Sequence, residues 1–478
     1  MRRAKIVCTI GPATSSPENL RKLIEAGMDV ARINRSHGSY EEHEAVYKNI
    51  RDAARDTARN VAILVDLQGP KIRLGKFEEE RKYLLSVGDK FTITTEDLVG
   101  NQQIVSTTHK GLADDAKPGD ILLIDDGKVR LRVESVDGPR VNTVVEIPGP
   151  VSNNKGINLP GAAVSVPALS EKDQDDLRWA LRIGTDFIAL SFVRNAKDYD
   201  DVRRIMEEEG RVVPVIAKLE KPQAIENLEE VVAAFDAFMV ARGDLAVEMP
   251  LWEVPLIQKR IIELARRNAK PVIVATQVLE SMTTNPTPTR AEASDCANAV
   301  LDGADAVMLS GETSVGDYPV AAVQTMAKII EATEKLGADR IAPLGSRPHT
   351  RSGVITQAAK EIGEQLGTKF FVTFTQSGDS ARRMSRLRSQ VQLLAFTPVN
   401  ATRRELALSW GCEAYEVPMV GSVDEMVAQV DLTLQAYGLA EPGDRVVIVS
   451  GAPVGVPGTT NSILVHKIGS TDSGRPIR

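Results

Sequence analysis

The sequence predicts an α/β protein, a (β/α)8 barrel with an inserted small β-barrel lid domain and a C-terminal open-sheet α/β domain. Two observations favour the barrel. Apolar segments of strand length alternate with amphipathic segments of helix length, and eight such strands precede residue 342. Polar or charged residues follow seven of the eight, as expected where loops at the carboxyl ends of barrel strands form an active site.

The first three strands alternate with two helices, the first of which has Ser16 as its N-cap and ends at Gly27. The predicted strands are Lys5–Ile10, Asp29–Ile33 and Val61–Asp66, and the predicted helices are Pro17–Ala26 and Tyr40–Arg59. This regular alternation breaks at Gly69-Pro70, where turn-forming residues begin a different pattern.

A β-rich segment interrupts the barrel between residues 70 and 167. Short alternating stretches, KFTITT, ILLIDD, VRLRVESV and NTVVEIP, are separated there by Gly, Asp and Pro turns. We therefore divide the chain into a barrel at 1–69 and 168–341, an inserted β domain at 70–167, and a C-terminal domain at 342–478.

The barrel pattern resumes with a helix at Glu171–Ile183, which Ser170 precedes as an N-cap. Five strands follow, with helical stretches between them. They are predicted at Asp186–Leu190, Val212–Ala217, Phe235–Ala241, Pro271–Ala275 and Asp305–Leu309.

The C-terminal domain has a second, smaller α/β pattern. Its helices are predicted near Ser352–Leu366, Ser380–Arg388, Ala401–Trp410 and Val423–Tyr437, and its strands at Phe370–Thr375, Gln392–Phe396 and Arg445–Val449. Two of these strands run into loops suited to anions, TQSGDS at 375–380 and SGAPVGVPGTTN at 450–461, because glycines allow backbone N–H groups to approach a phosphate closely.

Composition excludes several classes of protein. The net charge of −7 gives no support for nucleic-acid binding, and no apolar run is long enough to cross a membrane. Three cysteines without paired spacing give neither a disulfide framework nor a thiolate metal site, which fits a reducing cytoplasm. We expect a cytoplasmic protein that binds neither nucleic acid nor membranes.

Lys218, Glu220 and Asp244 are the charged residues that follow two successive barrel strands. Lys218 and Glu220 lie two apart, hence on one side of an extended chain, and Asp244 supplies a second carboxylate. Two carboxylates at one rim predict a site for Mg²⁺ or Mn²⁺, which prefer oxygen ligands. The alternative is a network of surface salt bridges in a loop.

Other candidate residues are weaker signals when each is taken alone. Arg32, Arg73 and Lys155 are candidate phosphate contacts, but an isolated basic side chain is more often a solvated charge. His37 beside a glycine could equally be a turn residue, and Thr276 could be only a helix cap.

The chain resembles the pyruvate kinase family over essentially its whole length. The resemblance is carried by eight motifs: ARINRSHG at Ala31–Gly38, VDLQGPKIR at Val65–Arg73, KGINLPGA at Lys155–Ala162, IAKLE at Ile216–Glu220, VARGDLAVE at Val240–Glu248, ATQVLESM at Ala275–Met282, PTRAEASD at Pro288–Asp295 and VMLSGET at Val307–Thr313.

The resemblance implies phosphoryl transfer from phosphoenolpyruvate to ADP, giving pyruvate and ATP. Glu220 and Asp244 would hold the divalent ion, Lys218 and Arg32 would face the phosphoryl group, and Thr276 would belong to the region that delivers a proton. The other implied site residues are Arg242, Gly243 and Asp244 for the substrate carboxylate, and Asn34, His37, Arg73 and Lys155 for the nucleotide. The inserted domain would be a lid over the barrel.

The resemblance also implies a homotetramer with a phosphorylated small-molecule effector. The implied effector residues are Thr375, Ser377, Gly378, Ser380, Gly455, Gly458 and Thr459. Asp379 stands where the family commonly has Lys or Arg, and its carboxylate should repel phosphate. A sugar monophosphate or a nucleoside monophosphate is therefore favoured over fructose 1,6-bisphosphate.

The motif VDLQGPKIR departs from the family's usual DTKGPEIRT. Leu67 replaces a Thr ligand and Lys71 replaces a Glu beside the site where Asn34, Ser36 and Asp66 would surround a monovalent cation. An ammonium at Lys71 could take the potassium role, so we predict activity without K⁺. A neutral replacement on the surface is the alternative.

Two further departures, Arg35 for Phe and Ala246 for Gly, have no explanation in the sequence.

Two other functions fit parts of the pattern. A metal-dependent lyase or aldolase acting on pyruvate or oxaloacetate would use the same rim carboxylates, but Arg73, Lys155 and a lid favour a nucleotide substrate. A catalytically silent metabolite sensor would keep the effector loops, but Lys218, Glu220 and Asp244 are intact.

Overall fold

The predicted fold class is confirmed by a computed structural model, which describes residues 2–161, 167–456 and 458–470. Ala162, the last residue of the KGINLPGA motif, and the final eight residues lie outside the described residues. The first strands and helices are β1 (Lys5–Thr9), α1 (Pro17–Ala26), β2 (Val30–Asn34), α2 (Tyr40–Asp56) and β3 (Ala62–Asp66).

Helix α1 begins and ends where the sequence predicted. The Ser16 hydroxyl accepts a hydrogen bond from the Asn19 N–H, Pro17 occupies the first turn, and Gly27 ends the helix at a φ of 126°. Helix α2 ends earlier than predicted, at Asp56, after a start in which Ser39 and Glu42 cap each other's backbone N–H groups.

The inserted segment is all-β apart from one short α-helix and a 3-10 turn at Glu78–Glu80. Its elements are β4 (Tyr83–Leu85), β5 (Lys90–Thr94), β6 (Ile104–Ser106), α3 (Leu112–Asp115), β7 (Ile121–Ile124), β8 (Val129–Asp137), β9 (Arg140–Ile147), β10 (Gly149–Val151) and β11 (Ile157–Asn158). Six of these strands form one sheet in the order β11-β7-β8-β9-β5-β6, and β10 pairs with β4. The segment has a hydrophobic core of its own, which includes Phe91, Leu122 and Leu131.

The second part of the barrel supplies five more strands and nine helices in the described part of the chain. The strands are β12 (Phe187–Leu190), β13 (Val215–Leu219), β14 (Ala237–Ala241), β15 (Val272–Ala275) and β16 (Ala306–Leu309). The helices are α4 (Glu171–Ile183), α5 (Asp198–Glu208), α6 (Pro222–Glu226), α7 (Leu228–Ala234), α8 (Arg242–Glu248), α9 (Val254–Arg267), α10 (Arg290–Leu301), α11 (Gly311–Ser314) and α12 (Pro319–Gly337).

The eight parallel strands close into a barrel in the order β1-β16-β15-β14-β13-β12-β3-β2. Their apolar residues are buried because helices cover the outside and side chains fill the inside. The largest error among the predicted strand boundaries is in β13. Strand β13 begins at Val215 rather than Val212, whose side chain is exposed, and it continues to Leu219. Lys218 therefore lies within the strand, where the backbone fixes its position, instead of in the loop after it.

The C-terminal domain is an open five-stranded sheet in the order β19-β18-β17-β20-β21, in which only β21 is antiparallel to its neighbour. Its elements are α13 (Arg351–Leu366), β17 (Phe370–Phe374), α14 (Asp379–Ser385), β18 (Gln392–Thr397), α15 (Asn400–Glu405), β19 (Cys412–Glu416), α16 (Val423–Ala436), β20 (Arg445–Gly451) and β21 (Thr460–Lys467). The two edge strands, β19 and β21, were missed because polar residues interrupt their apolar pattern.

No helix within the described residues is long and apolar enough to span a membrane. Cys8, Cys296 and Cys412 are buried free thiols. The limits of the three domains at residues 69, 167 and 341 stay predictions.

Candidate active site

A buried ammonium lies between two buried carboxylates at the carboxyl ends of the barrel strands. The Lys218 Nζ is 2.8 Å from Glu220 Oε1 and 3.4 Å from Asp66 Oδ1, and both carboxylates are about 1% exposed. Lys218 also donates a hydrogen bond of 2.8 Å to the Ser191 hydroxyl, which in turn donates to the Leu67 carbonyl. Neighbouring strands β3, β12 and β13 thus bring these groups together.

The charges of this cluster shift one another's ionisation. Burial alone would lower the pKa of Lys218, but the Asp66, Glu220 and Asp244 carboxylates raise it above its ordinary value. Burial opposes ionisation of Asp66 as well, yet Lys218 and Arg32 hold its pKa below the ordinary value. Burial raises the pKa of Glu220, and Lys218 counters that rise while Asp244 adds to it. The ammonium is therefore charged at neutral pH.

Arg32 is the second cation of the cluster. Its Nε donates to Asp66 Oδ2 at 2.7 Å, and its Nη1 donates to the Thr9 hydroxyl at 2.9 Å. Strands β1, β2 and β3 are neighbours, so Thr9, Arg32 and Asp66 come from three successive strands of the barrel. Asp66 is thus shared by two cations, Lys218 and Arg32, which it holds close together at the barrel rim.

Glu220 and Asp244 fit a divalent cation. Glu220 Oε1 is buried and has no well-oriented hydrogen bond from the described residues, although the Lys218 ammonium is close. Asp244 lines the adjacent cavity, where water and substrate oxygens have access. No group of three acidic, His or Cys side chains capable of metal binding occurs among the described residues. The protein thus offers two carboxylates, which suits Mg²⁺ because that ion usually keeps waters and phosphate oxygens as ligands.

Thr276 has a strained backbone. Its φ is 67°, a left-handed conformation that is rare for a β-branched residue and is found mostly where neighbouring contacts enforce it. The Thr276 hydroxyl accepts from the Gly243 N–H at 2.8 Å and donates to the Ala275 carbonyl at 2.7 Å. Arg242 donates to the Thr276 carbonyl at 2.9 Å and pairs with Asp295 at 2.7 Å. The Arg242 side chain therefore braces the turn that holds Thr276.

A cavity of about 770 Å³ lies between the barrel mouth and the inserted domain. Its lining brings together five residues predicted from sequence, His37, Lys71, Arg73, Lys155 and Asp244. The volume is sufficient for a substrate the size of a nucleotide.

Two of the predicted phosphate contacts are held by the inserted domain itself. The Lys155 ammonium pairs with Asp125 at 2.9 Å, and an Arg73 Nη donates to the Asn154 carbonyl at 3.0 Å. Asp125 also pairs with Lys128, and it has a positive φ of 52°. Sequence reasoning missed Asp125, although the ILLIDD segment gives it as a strand-end carboxylate.

The inserted domain is joined to the barrel across the cavity by Glu248. Asn158 Nδ2 donates to Glu248 Oε1 at 2.8 Å, and Lys221 Nζ is 2.6 Å from the same oxygen. The Lys221 ammonium also lies 5.3 Å from the centre of the Phe192 ring. The signal for Glu248 was its position as the last residue of the VARGDLAVE motif.

The predicted cation region is only partly assembled. Asn34 Oδ1 accepts from the Ser36 N–H at 3.1 Å, and Asn34 lies opposite Asp66 in the register of β2 and β3. Lys71 is exposed at the cavity wall, and its ammonium has no hydrogen bond or ion pair to another residue in the described ranges. Leu67 is buried in the barrel core.

Arg35, which had no explanation from sequence, is buried in a polar and aromatic cluster. Its guanidinium pairs with the fully buried Asp176 at 3.0 Å and lies 4.4 Å from the Tyr40 ring and 5.0 Å from the Trp179 ring. Lys172 donates both to the Arg35 carbonyl and to Asp176. The cluster therefore fixes the loop that carries Asn34 and Ser36. Ala246 packs against the barrel core, and nothing in the structure explains its presence in place of Gly.

A second pocket, of about 70 Å³, lies in the C-terminal domain between the two loops predicted to bind an effector. Its lining includes six of the seven predicted residues, Thr375, Ser377, Ser380, Gly455, Gly458 and Thr459. Gly378 supports the first loop with a φ of 80° and a hydrogen bond from its N–H to the Thr375 hydroxyl. Asp379 also lines the pocket, but its carboxylate pairs with the Arg383 Nε at 2.7 Å.

Comparison with known proteins gives matches over nearly the whole chain. The family model for the pyruvate kinase barrel domain matches residues 1–323, and that for the pyruvate kinase alpha/beta domain matches residues 354–466. A pyruvate kinase from Mycobacterium intracellulare is 57% identical over 471 residues, which cover 98% of this chain and 99% of the relative.

Two further relatives agree with these matches. A pyruvate kinase from Corynebacterium glutamicum is 57% identical over 468 residues, 98% of each protein. The crystal structure of a pyruvate kinase from Cryptosporidium parvum superposes with a TM-score of 0.92 at 32% identity, covering 98% of this chain and 96% of that one.

Proposed function

The chain belongs to the pyruvate kinase family and transfers the phosphoryl group of phosphoenolpyruvate to ADP, and from this premise we propose which of its residues carry the reaction. The main observation behind the proposal is the Lys218 ammonium, which is buried between the Asp66 and Glu220 carboxylates and feels the charge of Asp244, a residue that lines the cavity of nucleotide size.

Lys218 and Arg32 stabilise the transferring phosphoryl group. Phosphoryl transfer is accelerated mainly by positioning and by fixed charges that face the equatorial oxygens. Asp66 orients both cations, because its two oxygens lie 3.4 Å from the Lys218 ammonium and 2.7 Å from the Arg32 Nε. The raised pKa of Lys218 keeps the ammonium protonated, so it also stabilises the enolate that remains after transfer.

Glu220 and Asp244 hold Mg²⁺, or Mn²⁺ in its place. When bound, the ion supplies positive charge to the substrate and phosphoryl oxygens. The backbone around Arg242–Asp244 binds the substrate carboxylate, apart from the Gly243 N–H, which already donates to the Thr276 hydroxyl. The Arg242 side chain braces the turn at Thr276. Thr276 belongs to the proton-delivery path to the enolate, which is supported by its strained backbone and its hydroxyl beside Gly243.

The nucleotide occupies the cavity between the barrel and the inserted domain. Arg73 and Lys155 contact its phosphates from the inserted domain, and His37 contacts it from the barrel. Asn34, at the end of β2, does not line the cavity, and its proposed contact with the nucleotide rests on the family resemblance alone. The Asn158–Glu248 hydrogen bond joins the two walls of the cavity, so the inserted domain acts as a lid that excludes water during transfer.

The reaction does not require K⁺. Leu67 removes an oxygen ligand and Lys71 adds a positive charge at the cavity wall, and we propose that this ammonium turns toward Asp66 and the Asn34–Ser36 loop when substrates bind. Activity with tetramethylammonium as the sole monovalent cation should equal that with K⁺. A Leu67→Thr, Lys71→Glu double variant should instead need K⁺. Activity of the parent restored only by K⁺ would contradict the proposal.

The enzyme is proposed to be a cytoplasmic homotetramer with an effector pocket in its C-terminal domain. The pocket of about 70 Å³ suits one phosphate group, and the Arg383 guanidinium offsets the Asp379 charge. These features support a sugar monophosphate or a nucleoside monophosphate as effector. Titration of such compounds at low phosphoenolpyruvate tests this, and activation by fructose 1,6-bisphosphate alone would refute it.

A coupled assay for pyruvate formed from phosphoenolpyruvate, ADP and Mg²⁺ tests the roles proposed for the site. Lys218→Met should lower kcat by about 100–1000-fold, the usual effect of removing one preorganised charge from a site of this kind. Lys259→Met is the matched control, because it removes an ammonium that pairs with Asp302, and neither residue lines the cavity. A metal-dependent lyase or aldolase would release pyruvate from oxaloacetate without ADP, and a silent sensor would show neither activity.

A further inference from the structure

A small cavity lies at the junction of the barrel and the C-terminal domain, on the side opposite the active site. It is lined by the end of α9, the loop that follows it, and the segment from α14 to Ser409. Its volume is about 10 Å³, which is room for one water-sized particle.

Three arginines that line this cavity are more than nine-tenths buried, namely Arg266, Arg386 and Arg388. Their terminal nitrogens donate to backbone carbonyls across the domain junction. Arg266 donates to Ala342 and Arg386, Arg386 donates to Arg267, and Arg388 donates to Gly303.

The inner donors of the same three side chains lack partners. The Nε atoms of Arg266, Arg386 and Arg388 are buried and have no hydrogen bond to any described residue, and the same is true of the Ser409 hydroxyl. All four residues line the cavity. Unpaired buried donors are costly, above all those of charged groups, so three guanidinium N–H groups and one hydroxyl around one small space indicate an occupant that accepts hydrogen bonds.

The charge around the cavity is also unbalanced. Its lining contains four arginines and Lys270, but Asp305 is the single carboxylate among the described lining residues. Both oxygens of Asp305 already have partners, so it does not pair with the other cations. One oxygen accepts from the Trp410 N–H, and the other accepts from the Val272 N–H and from Arg388. Burial and the neighbouring Arg388 lower the pKa of Arg266 to about 9, and burial lowers that of Arg386 to about 10.

We propose that this cavity binds one small inorganic anion, chloride under ordinary conditions, held by the Nε–H groups of Arg266, Arg386 and Arg388 and by the Ser409 hydroxyl. The volume selects a monatomic ion over phosphate, which needs several times the space. The positive lining selects an anion over water, because a water would have to donate two hydrogen bonds among groups that are mostly donors. The ion offsets the guanidinium charges that the junction buries.

Crystals of the enzyme grown without chloride and soaked in bromide test the site directly. An anomalous bromide peak within hydrogen-bonding distance of the three Nε atoms is expected. Density without anomalous signal would identify a water and overturn the proposal.

Thermal unfolding supplies a second test, because a bound ion stabilises the folded state by mass action. Replacing sodium gluconate by sodium chloride at constant ionic strength should raise Tm by about 1–3 °C, with saturation. Arg267→Gln, which removes an exposed guanidinium from the neighbouring position, should keep this shift. Equal Tm values in the two salts would overturn the proposal.

A Ser409→Asp variant places a carboxylate where the anion is proposed to lie. It should melt higher than the parent in gluconate, and its Tm should no longer respond to chloride. A chloride shift as large as that of the parent would show that the ion binds elsewhere and would refute the assignment.

Discussion

The buried ion pair between Arg35 and Asp176 should make a large contribution to the stability of the active-site loop. Asp176 is fully buried, and the Arg35 guanidinium lies beside the Tyr40 and Trp179 rings, which contact each other. Removing one partner of such a pair costs about 3–5 kcal/mol, because the other charge is left buried. In an Arg35→Met variant, Asp176 would keep Lys172 at 2.6 Å and the Tyr40 hydroxyl at 2.9 Å. We therefore expect the substitution to cost stability at the lower end of this range, about 3 kcal/mol.

Native-state hydrogen exchange measures this loss locally, which is preferable because a multidomain chain does not unfold in a single step. Amides of α4, which carries Asp176, should lose about 3 kcal/mol of protection in Arg35→Met. The KM for ADP should rise several-fold, since Arg35 lies between Asn34 and Ser36 and its carbonyl accepts from Lys172.

A double-mutant cycle measures the interaction energy between Arg35 and Asp176 separately from their contacts with other residues. Asp176→Asn alone should also destabilise α4, and the double variant should be less destabilised than the sum, with a coupling energy of about 1–3 kcal/mol. Additive effects, or unchanged α4 protection in Arg35→Met, would refute the reasoning. Arg204→Met is the control, because Arg204 lies on α5 and pairs with Asp201 and Glu208 on that helix, away from this cluster and from the cavity.

Three further predictions concern the site. Thr276→Val, which removes the hydroxyl but keeps the branched shape, should lower kcat about 100-fold in the coupled assay if that hydroxyl serves proton delivery, and an unchanged kcat would exclude the role. Asp125→Asn should break the ion pair with Lys155 and leave that ammonium free to bind the nucleotide phosphates. The KM for ADP should then fall by up to about fivefold, because a partly exposed ion pair is weak. A higher KM would mean that Asp125 holds the lysine in the position that binds ADP. Because Lys218 and Arg32 hold the folded-state pKa of Asp66 below its unfolded value, its ionised form stabilises the fold above about pH 4 and that stability is lost on acidification. Asp66→Asn should therefore flatten the acid limb of a Tm-against-pH profile, and a limb as steep as that of the parent would contradict this.

Local sequence patterns were sufficient for the barrel and its rim. Helices α1 and α4 have the predicted bounds because their capping residues act through neighbours three positions away, which the sequence contains directly. The motifs around Lys218, Glu220 and Asp244 predicted a rim site because parallel strands end at a common edge. The edge strands β19 and β21 were missed because polar residues interrupt their apolar pattern, and what makes them strands is pairing with β18 and β20 at the edges of the sheet.

The sequence by itself determined the family, the reaction and the identity of the charged residues, because each depends on residue types in short, ordered motifs. Only the tertiary structure decided which partner each charge has. It places Lys218 within a strand against Asp66 from a different part of the chain, gives Lys155 a partner in Asp125 and buries Arg35 against Asp176. It also gathers three arginines around a cavity at the domain junction. The physical reason is that electrostatic interactions depend on distance and burial, and residues far apart in the sequence acquire both only when the chain folds.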